Sequence, residues 1–379
     1  MLDFSSIQAG GGVQQALSFL DAIERTSFCH FDLSYLFPGK GELRPRAADF
    51  NPARTLVAPA ALPRRLLFLR SRAVRFLLRN RVQAVFTLFG PGVPHPPGVA
   101  SVVGVAYSDI GYPSGPFWDY MPRRRRWRRR LINVGRRRQL RKATCLLAET
   151  TLVKTQLSRS LPFALEKIHV IPPAPSRFVA DSRADVQAEC RSLLLLSGPA
   201  RHKNLWRLYD VAELAARERL DFRLVLTVRR HRWIRSLPDP GRVDDAVIDR
   251  YFDFVGPVPC TEIGPLYESC DILMNLSDLE SFTNNYVESW QAGLPLLCSD
   301  RDFARHICGG SALYVEPHRP ESVLRGIQRL MGSPELRTSL AAEGKKRLAA
   351  LPSLRERYDE IARIICSEIS QRRKGQDNE

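Results

Sequence analysis

Short, continuous apolar runs alternate with amphipathic stretches along the second half of the chain, and this alternation limits the folds open to it. The leucines of 193–196 are followed by apolar residues at helical spacing across 204–217, and the alternation continues past residue 313. Strands that are apolar throughout are buried on both faces, as in a parallel sheet covered by helices on each side. We predict strands at 193–196, 222–228, 252–255, 272–276, 294–298 and 313–315, and helices at 204–217, 262–269 and 285–291 and from Glu321, Glu335 and Leu354. This half is therefore predicted to be a doubly wound α/β domain.

The first half shows a weaker form of the same alternation. Its predicted elements are strands at 2–4, 84–88, 102–106 and 144–147, a glycine loop at 10–12, and a basic helix at 63–79. Between the halves, the sequence IPPAPS at 171–176 is too rich in proline for a helix or a central strand. A chain of 379 residues also suits roughly two domains. We predict domains at 1–172 and 173–350, and a C-terminal helical segment at 351–379.

The positive charge of the chain is concentrated in the first half. The formal net charge is +17, and residues 1–172 hold 27 Lys and Arg against 10 acidic residues, whereas the remainder holds 30 of each. The stretch from Arg123 to Lys142 alone has twelve cations and no acid, and Trp127, Leu131 and Val134 fall on one helical face within it. That arrangement is typical of an interfacial helix against an anionic membrane. A solvated charged face is the alternative, and nucleic acid is disfavoured because no reading motif accompanies the run.

Neither a membrane span nor a disulfide framework is expected. No run approaches the roughly 20 apolar residues of a transmembrane helix. The start of the chain lacks the pattern of a signal peptide, so we expect residence in the cytoplasm, peripherally at the inner face of the cytoplasmic membrane. The eight cysteines are scattered without a C-x-x-C pair. They are interpreted as reduced core thiols, and a zinc site is not expected from their spacing.

Two carboxylates flank a predicted helix start. Glu280 lies in the loop after the strand 272–276, and Glu288 lies eight residues later in the first turn of the following helix. Free N–H groups and the dipole at a helix N-terminus favour a phosphate, and carboxylates beside it suit sugar hydroxyls. Asn285 with Glu288 also fits a capping box, and Glu280 could be a solvated loop acid, so the spacing leaves both interpretations open.

Other strand ends carry three further candidate groups. Arg201 and Lys203 precede a helix, where the dipole disfavours cations, so a bound anion would relieve the conflict; solvated charges are the alternative. Gly10 to Gly12 would admit a ligand close to the backbone, or form only a tight turn. The tripeptide Tyr107-Ser108-Asp109 follows the strand 102–106 and is either loop-capping or catalytic.

The residues from Glu280 to Asp300, ESFTNNYVESWQAGLPLLCSD, resemble the E-x7-E signature of the retaining glycosyltransferases of family 4, the group 1 family. The resemblance continues through GPARHKN, FVGPV, CDILMNLS, LAETTLVK, IPPAPS and the glycine loop, and covers nearly the whole chain. It implies the α/β GT-B fold, in which two Rossmann-like doubly wound domains face a central cleft. It also implies an acceptor- and membrane-facing first domain, a nucleotide-sugar-binding second domain, and a C-terminal helix that packs back on the first.

The resemblance implies roles for individual residues. Glu288 would hold the ribose hydroxyls of a nucleotide, Glu280 would face the donor sugar, and Lys203, helped by Arg201, would neutralise the diphosphate. Contacts to the phosphates and base are implied for Thr283, Asn284, Asn285 and Val258, and contacts near the donor phosphate and acceptor for Gly11 and Gly12. No conventional metal-binding D-x-D is recognised in the sequence, which is consistent with metal-independent use of a UDP-sugar or GDP-sugar donor and no further cofactor.

Three departures from the family pattern qualify these roles. Thr283 stands where a glycine is common, and Pro199 follows Gly198 where an arginine is frequent. Ser108 stands where the first domain usually has a histidine, so that Asp109 or His95 would serve instead.

The function implied is transfer of a sugar from a nucleotide-diphosphate sugar to a polysaccharide, lipopolysaccharide or lipid-linked acceptor, with retention of configuration. The alternatives are a phospholipid- or nucleic-acid-binding protein of the same fold without transfer activity, prompted by the arginine run, and a nucleotide-sugar epimerase.

Overall fold

The computed structural model of the protein describes residues 1–181 and 189–376, with side chains as far as residue 374. Contacts divide the described residues into two compact units. The first unit contains Met1–Pro113, Pro122–Ala174 and the segment that starts at Pro352, and the second contains Ser114–Met121 and Pro175–Leu351. The sequence predicted a change of domain at the proline-rich stretch, and it carried no signal that residues 114–121 pack with the second unit.

The first unit is built on a seven-stranded parallel sheet. The strands are β1 (Leu2–Asp3), β2 (Tyr35–Phe37), β3 (Thr55–Val57), β4 (Ala84–Thr87), β5 (Ala100–Gly104), β6 (Cys145–Ala148) and β7 (Ile168–Val170), in the order β3-β2-β1-β4-β5-β6-β7. Its helices are α1 (Gly11–Ala22), α2 (Leu62–Phe68), α3 (Val74–Arg79), α4 (Ser108–Gly111), α6 (Arg123–Leu140), α7 (Thr151–Ser160) and α16 (Leu354–Gln376), and α5 (Pro116–Asp119) belongs to the second unit. The strands that the sequence missed, β2, β3 and β7, have only three residues each, too few to show a period.

The second unit is built on a six-stranded parallel sheet. The strands are β8 (Ser192–Leu195), β9 (Arg223–Leu226), β10 (Phe252–Phe254), β11 (Ile272–Asn275), β12 (Leu296–Ser299) and β13 (Ala312–Val315), in the order β10-β9-β8-β11-β12-β13. Besides α5, its helices are α8 (Leu208–Arg217), α9 (Arg230–Ile234), α10 (Asp245–Tyr251), α11 (Gly264–Ser269), α12 (Asn284–Ala292), α13 (Asp302–Cys308), α14 (Pro320–Gly332) and α15 (Pro334–Ala349). The predicted parallel α/β architecture of both halves is confirmed.

The strand order of the second sheet fixes where a ligand would bind. From β8 the chain proceeds to β9 on one side, and later to β11 on the other, so that the strand order reverses between β8 and β11. Loops that leave neighbouring strands in opposite directions open a crevice at the carboxyl ends of those strands. In this unit the crevice lies between the residues that follow β8 and those that follow β11.

Most of the cysteines are buried in the folded units. Five of the eight cysteines are buried, while Cys29 and Cys366 are exposed and Cys260 is half-buried. All eight are free thiols. Among the described residues, no helix is both long enough and apolar enough to cross a membrane.

Candidate functional site

The crevice of the second sheet brings together a predicted cation and a predicted carboxylate. Lys203 follows β8 and Glu280 follows β11, and the Lys203 Nζ is ion-paired with the Glu280 carboxylate. Their side chains are 22% and 12% exposed, so the pair is shielded but reachable from solvent. The switch point therefore has a positive charge, Lys203, after β8 and a negative charge, Glu280, after β11. A bound anion could compete with Glu280 for Lys203.

Glu288 lies deeper than Glu280, on α12. Its side chain is almost fully buried, and the Tyr267 hydroxyl donates a hydrogen bond of 2.6 Å to Glu288 Oε2. Burial, and then the charge of Glu288, raise the pKa of Tyr267 well above its ordinary value, so the proton stays on the phenol. The Tyr267 hydroxyl orients the carboxylate as a hydrogen-bond acceptor.

The start of α12 differs from the capping-box interpretation. Thr283 is the N-cap, and its Oγ1 accepts a hydrogen bond of 3.4 Å from the Asn285 backbone N–H. Asn285 is inside the helix, and its Nδ2 donates to the Leu196 carbonyl oxygen at 2.9 Å. The capping box of Asn285 and Glu288 is therefore wrong, because Asn285 instead ties α12 to the end of β8. Asn284 is the first residue of α12.

Arg201 does not join the pair of Lys203 and Glu280. Its guanidinium donates to the Ser236 carbonyl oxygen at 2.5 Å and lies 4.6 Å from the centroid of the Trp206 ring. Val258 is half-buried in the loop after β10. Lys203, Glu280 and the start of α12 thus lie together in the crevice. Arg201 instead contacts Ser236 and Trp206.

A buried carboxylate that the sequence analysis did not select lies two residues before Glu280. Asp278 has no exposed side-chain surface. It accepts hydrogen bonds from Tyr120 (2.6 Å), Asn204 (2.7 Å), Arg301 (2.8 Å) and His318 (2.9 Å). Burial alone would raise the pKa of Asp278, but these donors lower it to about 2.

The Asp278 network also fixes the backbone beside Lys203. Asn204 is fully buried in the left-handed conformation (φ 57°), and its Nδ2 donates both to Asp278 and to the Leu276 carbonyl oxygen at 2.8 Å. The Asp278 backbone N–H donates to the His202 carbonyl oxygen at 2.8 Å. An acid at a strand end was visible in the sequence, but its partners are distant in the chain, so the network could not be found from spacing.

The candidates of the first unit have structural partners. Gly11 and Gly12 form the first turn of α1, and a Cβ on Gly12 would lie 3.3 Å from the Ile7 side chain. His95 is half-buried, and its Nδ1 lies 3.3 Å from the Pro96 carbonyl oxygen. The predicted glycine loop therefore starts a helix and packs closely against Ile7.

Asp109 binds the basic helix. The Asp109 carboxylate accepts from Arg129 Nε at 2.6 Å and from Asn133 Nδ2 at 3.0 Å, both on α6. Burial opposes ionisation, but Arg129 and Asn133 lower the pKa of Asp109 below its ordinary value. Asp109, predicted as catalytic, is thus a buried anion that holds α6 to α4.

The other side of α6 faces solvent with apolar groups among its arginines. Trp127 is 70% exposed, Leu131 is 56% exposed and Val134 is 41% exposed. Large apolar side chains that remain in water on one helix face indicate an interaction surface.

Part of the second unit is similar to a known protein family. Residues 244–347, which include Glu280 and Glu288, match the family model of the glycosyl transferases group 1. No curated protein sequence is significantly similar to the chain.

Several solved structures share the fold. Sucrose-phosphate synthase from Thermosynechococcus elongatus superposes with a TM-score of 0.68 at 15% identity, covering 96% of this chain and 94% of that one. WaaG, a glycosyltransferase involved in lipopolysaccharide biosynthesis, gives 0.66 at 14% identity over 96% and 98% of the two chains. Anabaena HepE, solved in complex with UDP and glucose, gives 0.64 at 14% identity over 97% and 98%. The protein therefore has the GT-B glycosyltransferase fold of two Rossmann-like domains, and residues 244–347 of its second unit are the segment that is similar to the group 1 glycosyl transferases.

Proposed function

We propose that the protein is a retaining glycosyltransferase that moves a sugar from a UDP-sugar or GDP-sugar to a polysaccharide, lipopolysaccharide or lipid-linked acceptor. The observation that carries the proposal is the ion pair of Lys203 and Glu280 at the switch point, beside the start of α12 and the buried Glu288. The names of two structural relatives, one solved with UDP and glucose and one involved in lipopolysaccharide biosynthesis, support this substrate class.

In this proposal each charged group in the crevice has a separate role. The Glu288 carboxylate accepts hydrogen bonds from the ribose hydroxyls, and the N–H groups at the start of α12 face the diphosphate. Arrival of the diphosphate draws Lys203 away from Glu280, which frees the Glu280 carboxylate to accept hydrogen bonds from the donor sugar.

The transfer step develops negative charge on the leaving group. The bond between the anomeric carbon and the diphosphate oxygen breaks, and its electron pair departs with the nucleoside diphosphate. The acceptor oxygen bonds to the same face of the anomeric carbon, and its proton passes to the departing diphosphate oxygen. Lys203 stabilises the departing charge, and one well-placed group of this kind contributes about 3 to 4 kcal/mol to a barrier. No cofactor besides the donor is assigned in this scheme.

Donor binding and transfer test the proposal directly. UDP, GDP and their sugars are screened for a rise in melting temperature, followed by transfer assays with glycan and lipid-linked acceptors and determination of the product's anomeric configuration. We expect one nucleotide class to stabilise the protein, Glu288→Gln to weaken its binding, and Lys203→Met to lower turnover about a hundredfold or more. Lys346→Met, which removes a 72% exposed lysine, is the control.

Two outcomes would oppose the proposal. Stabilisation by none of the nucleotides, with salt-sensitive RNA or phospholipid binding instead, would favour the binding protein without transfer activity. Conversion of the donor sugar to its epimer without acceptor would favour the epimerase, and an inverted product would disprove retention.

We propose further that the outer face of α6 docks on an anionic membrane surface, where a lipid-linked acceptor would be found. Exposed Trp127 and Leu131 would enter the interface, and the surrounding arginines would contribute about 1 kcal/mol each near anionic lipid. Vesicles with and without phosphatidylserine are compared for the wild type and for Trp127→Ala with Leu131→Ala, and Leu165→Ala, which removes a 50% exposed leucine, is the control. Equal binding by the double variant and the wild type would refute the docking face.

A further inference from the structure

A thiol, an imidazole and a carboxylate converge on the first sheet, apart from the residues considered above. Cys145 lies on β6, His169 on β7 and Glu368 on α16, and one potential ligand atom of each lies within 4.8 Å of the other two. The strand register explains the first two: Leu147 pairs with His169, and Cys145 lies two residues before Leu147. Side chains two residues apart on a strand share a face, so Cys145 and His169 point to the same side of the sheet.

These three side chains have no other polar partners in the described part of the chain. Neither a hydrogen bond nor an ion pair to a described residue engages the Cys145 thiol, the His169 ring or the Glu368 carboxylate. Cys145 is buried and the other two are half-buried. Converging groups that leave their lone pairs unused are the arrangement expected of ligands awaiting a cation.

We propose that Cys145, His169 and Glu368 bind one zinc ion. A sulfur, a nitrogen and an oxygen ligand form a set that suits Zn²⁺, whereas Mg²⁺ and Ca²⁺ prefer oxygen alone. Bond lengths of about 2.0 to 2.3 Å require the three ligand atoms to approach one another, which rotation of the half-buried Glu368 and His169 side chains allows. On binding, the Cys145 thiol releases its proton to solvent and coordinates as the thiolate.

A neighbouring cavity would leave the fourth coordination position of the proposed ion open to water. The cavity has a volume of about 630 Å³ and is lined by His169 and Glu368 among others. Three cations, Lys167, Arg363 and Arg372, also line it together with the acids Glu166 and Glu360, and Arg363 is paired with Glu360 at 2.5 Å. A zinc ion with three protein ligands and one water would cross-link the C-terminal helix to two strands that are far from it in the sequence.

Metal titration of the full-length protein tests the site. After treatment with chelator, Zn²⁺ is titrated calorimetrically, and Co²⁺ is used as a spectroscopic probe because thiolate coordination gives a near-ultraviolet charge-transfer band. We expect one metal ion per chain, the thiolate band, and slower amide exchange over 354–376 in the zinc-bound protein. His169→Gln and Glu368→Gln should each weaken binding 10-fold or more, and Cys145→Ser should abolish the band.

The exposed Cys366 supplies the matched control, since it is another thiol on the same helix. Cys366→Ser should keep the stoichiometry and the band. Absence of stoichiometric binding to the wild type would overturn the proposal, as would unchanged affinity in both His169→Gln and Glu368→Gln. These two variants change half-buried side chains, so the test does not depend on folding of the buried Cys145 variant. Metal binding is measured without any nucleotide, and its failure would leave the proposed transfer activity untouched.

Discussion

Asp278 shows how one residue organises the crevice. Its carboxylate is buried, yet it is held ionised by Arg301, His318, Asn204 and Tyr120. Because its pKa in the folded protein is about 2, below the ordinary 3.8, the ionised form stabilises the fold above pH ~4. That contribution, about 2 kcal/mol, is lost as the pH falls towards 2.

We therefore expect Asp278→Asn to destabilise the protein by at least about 2 kcal/mol at pH 7. The difference from the wild type should narrow between pH 5 and pH 3, as measured by urea unfolding at each pH. Asp300→Asn is the control, because the exposed pair of Asp300 and Arg305 should contribute no more than about 1 kcal/mol. A difference that stays constant down to pH 3 would contradict the assignment.

Tyr267 is predicted to matter through Glu288. Tyr267→Phe removes a hydrogen bond to a buried carboxylate, an interaction that contributes about 1.5 to 3 kcal/mol. If Glu288 binds the ribose, the variant should bind the nucleoside diphosphate about tenfold more weakly, measured by calorimetry, with little change in turnover at saturating donor. Tyr251→Phe is the matched control, since the buried Tyr251 hydroxyl donates to the Leu220 carbonyl oxygen at 2.9 Å. Equal losses of affinity in both variants would indicate a general effect on the unit.

Among the elements of the first unit, α6 is attached to α4 by the buried carboxylate of Asp109 and by Arg137, which donates to the Ile110 carbonyl oxygen at 3.3 Å. Its 18 residues have a low mean hydropathy, and Asn133 and Leu140 are its buried residues. Because few apolar contacts hold the helix, the hydrogen bonds from Arg129 and Asn133 to Asp109 carry much of its attachment.

Asp109→Ala should consequently loosen α6. We expect a loss of about 2 kcal/mol in stability and faster amide exchange across 123–140, since Asn133 would be left buried without its acceptor. Asp32→Ala is the control, because the pair of Asp32 with Arg54 is solvent-exposed. Unchanged exchange in α6 after Asp109→Ala would show that other contacts hold the helix.

At the scale of the whole molecule, the C-terminal helix is part of the first unit. Tyr358 is fully buried and stacks on Phe19 of α1 with ring centroids 4.4 Å apart, and Arg357 donates to Gln15 at 2.5 Å. The first unit is therefore completed by a segment that follows the second unit along the chain.

Tyr358→Ala should destabilise the first unit by about 3 to 5 kcal/mol, the usual cost of deleting a buried aromatic ring. Amide exchange measured peptide by peptide should show faster opening of the first sheet, and the nucleotide binding that we propose for the second unit should be retained. Arg363→Ala, at a 71% exposed position on the same helix, should change neither. Equal acceleration in both units would show that they open together.

The parallel α/β architecture of both halves could be predicted from the sequence alone. The sequence also supplied the proline-rich stretch at which we place the boundary between the halves, and two candidate charged residues, Lys203 and Glu280, at the ends of two strands. These features depend on hydrophobic periodicity, on prolines and on which residues follow the ends of strands. Each of these signals lies within a few neighbouring residues of the sequence. The folded structure was needed to find that Asp109 binds α6, that Arg201 binds Ser236, and that Asp278, His318 and Tyr120 form one network. The same holds for Cys145, His169 and Glu368. Such contacts join residues distant in the chain, and their partners are chosen by packing and by the need to satisfy buried polar groups, which no local pattern records.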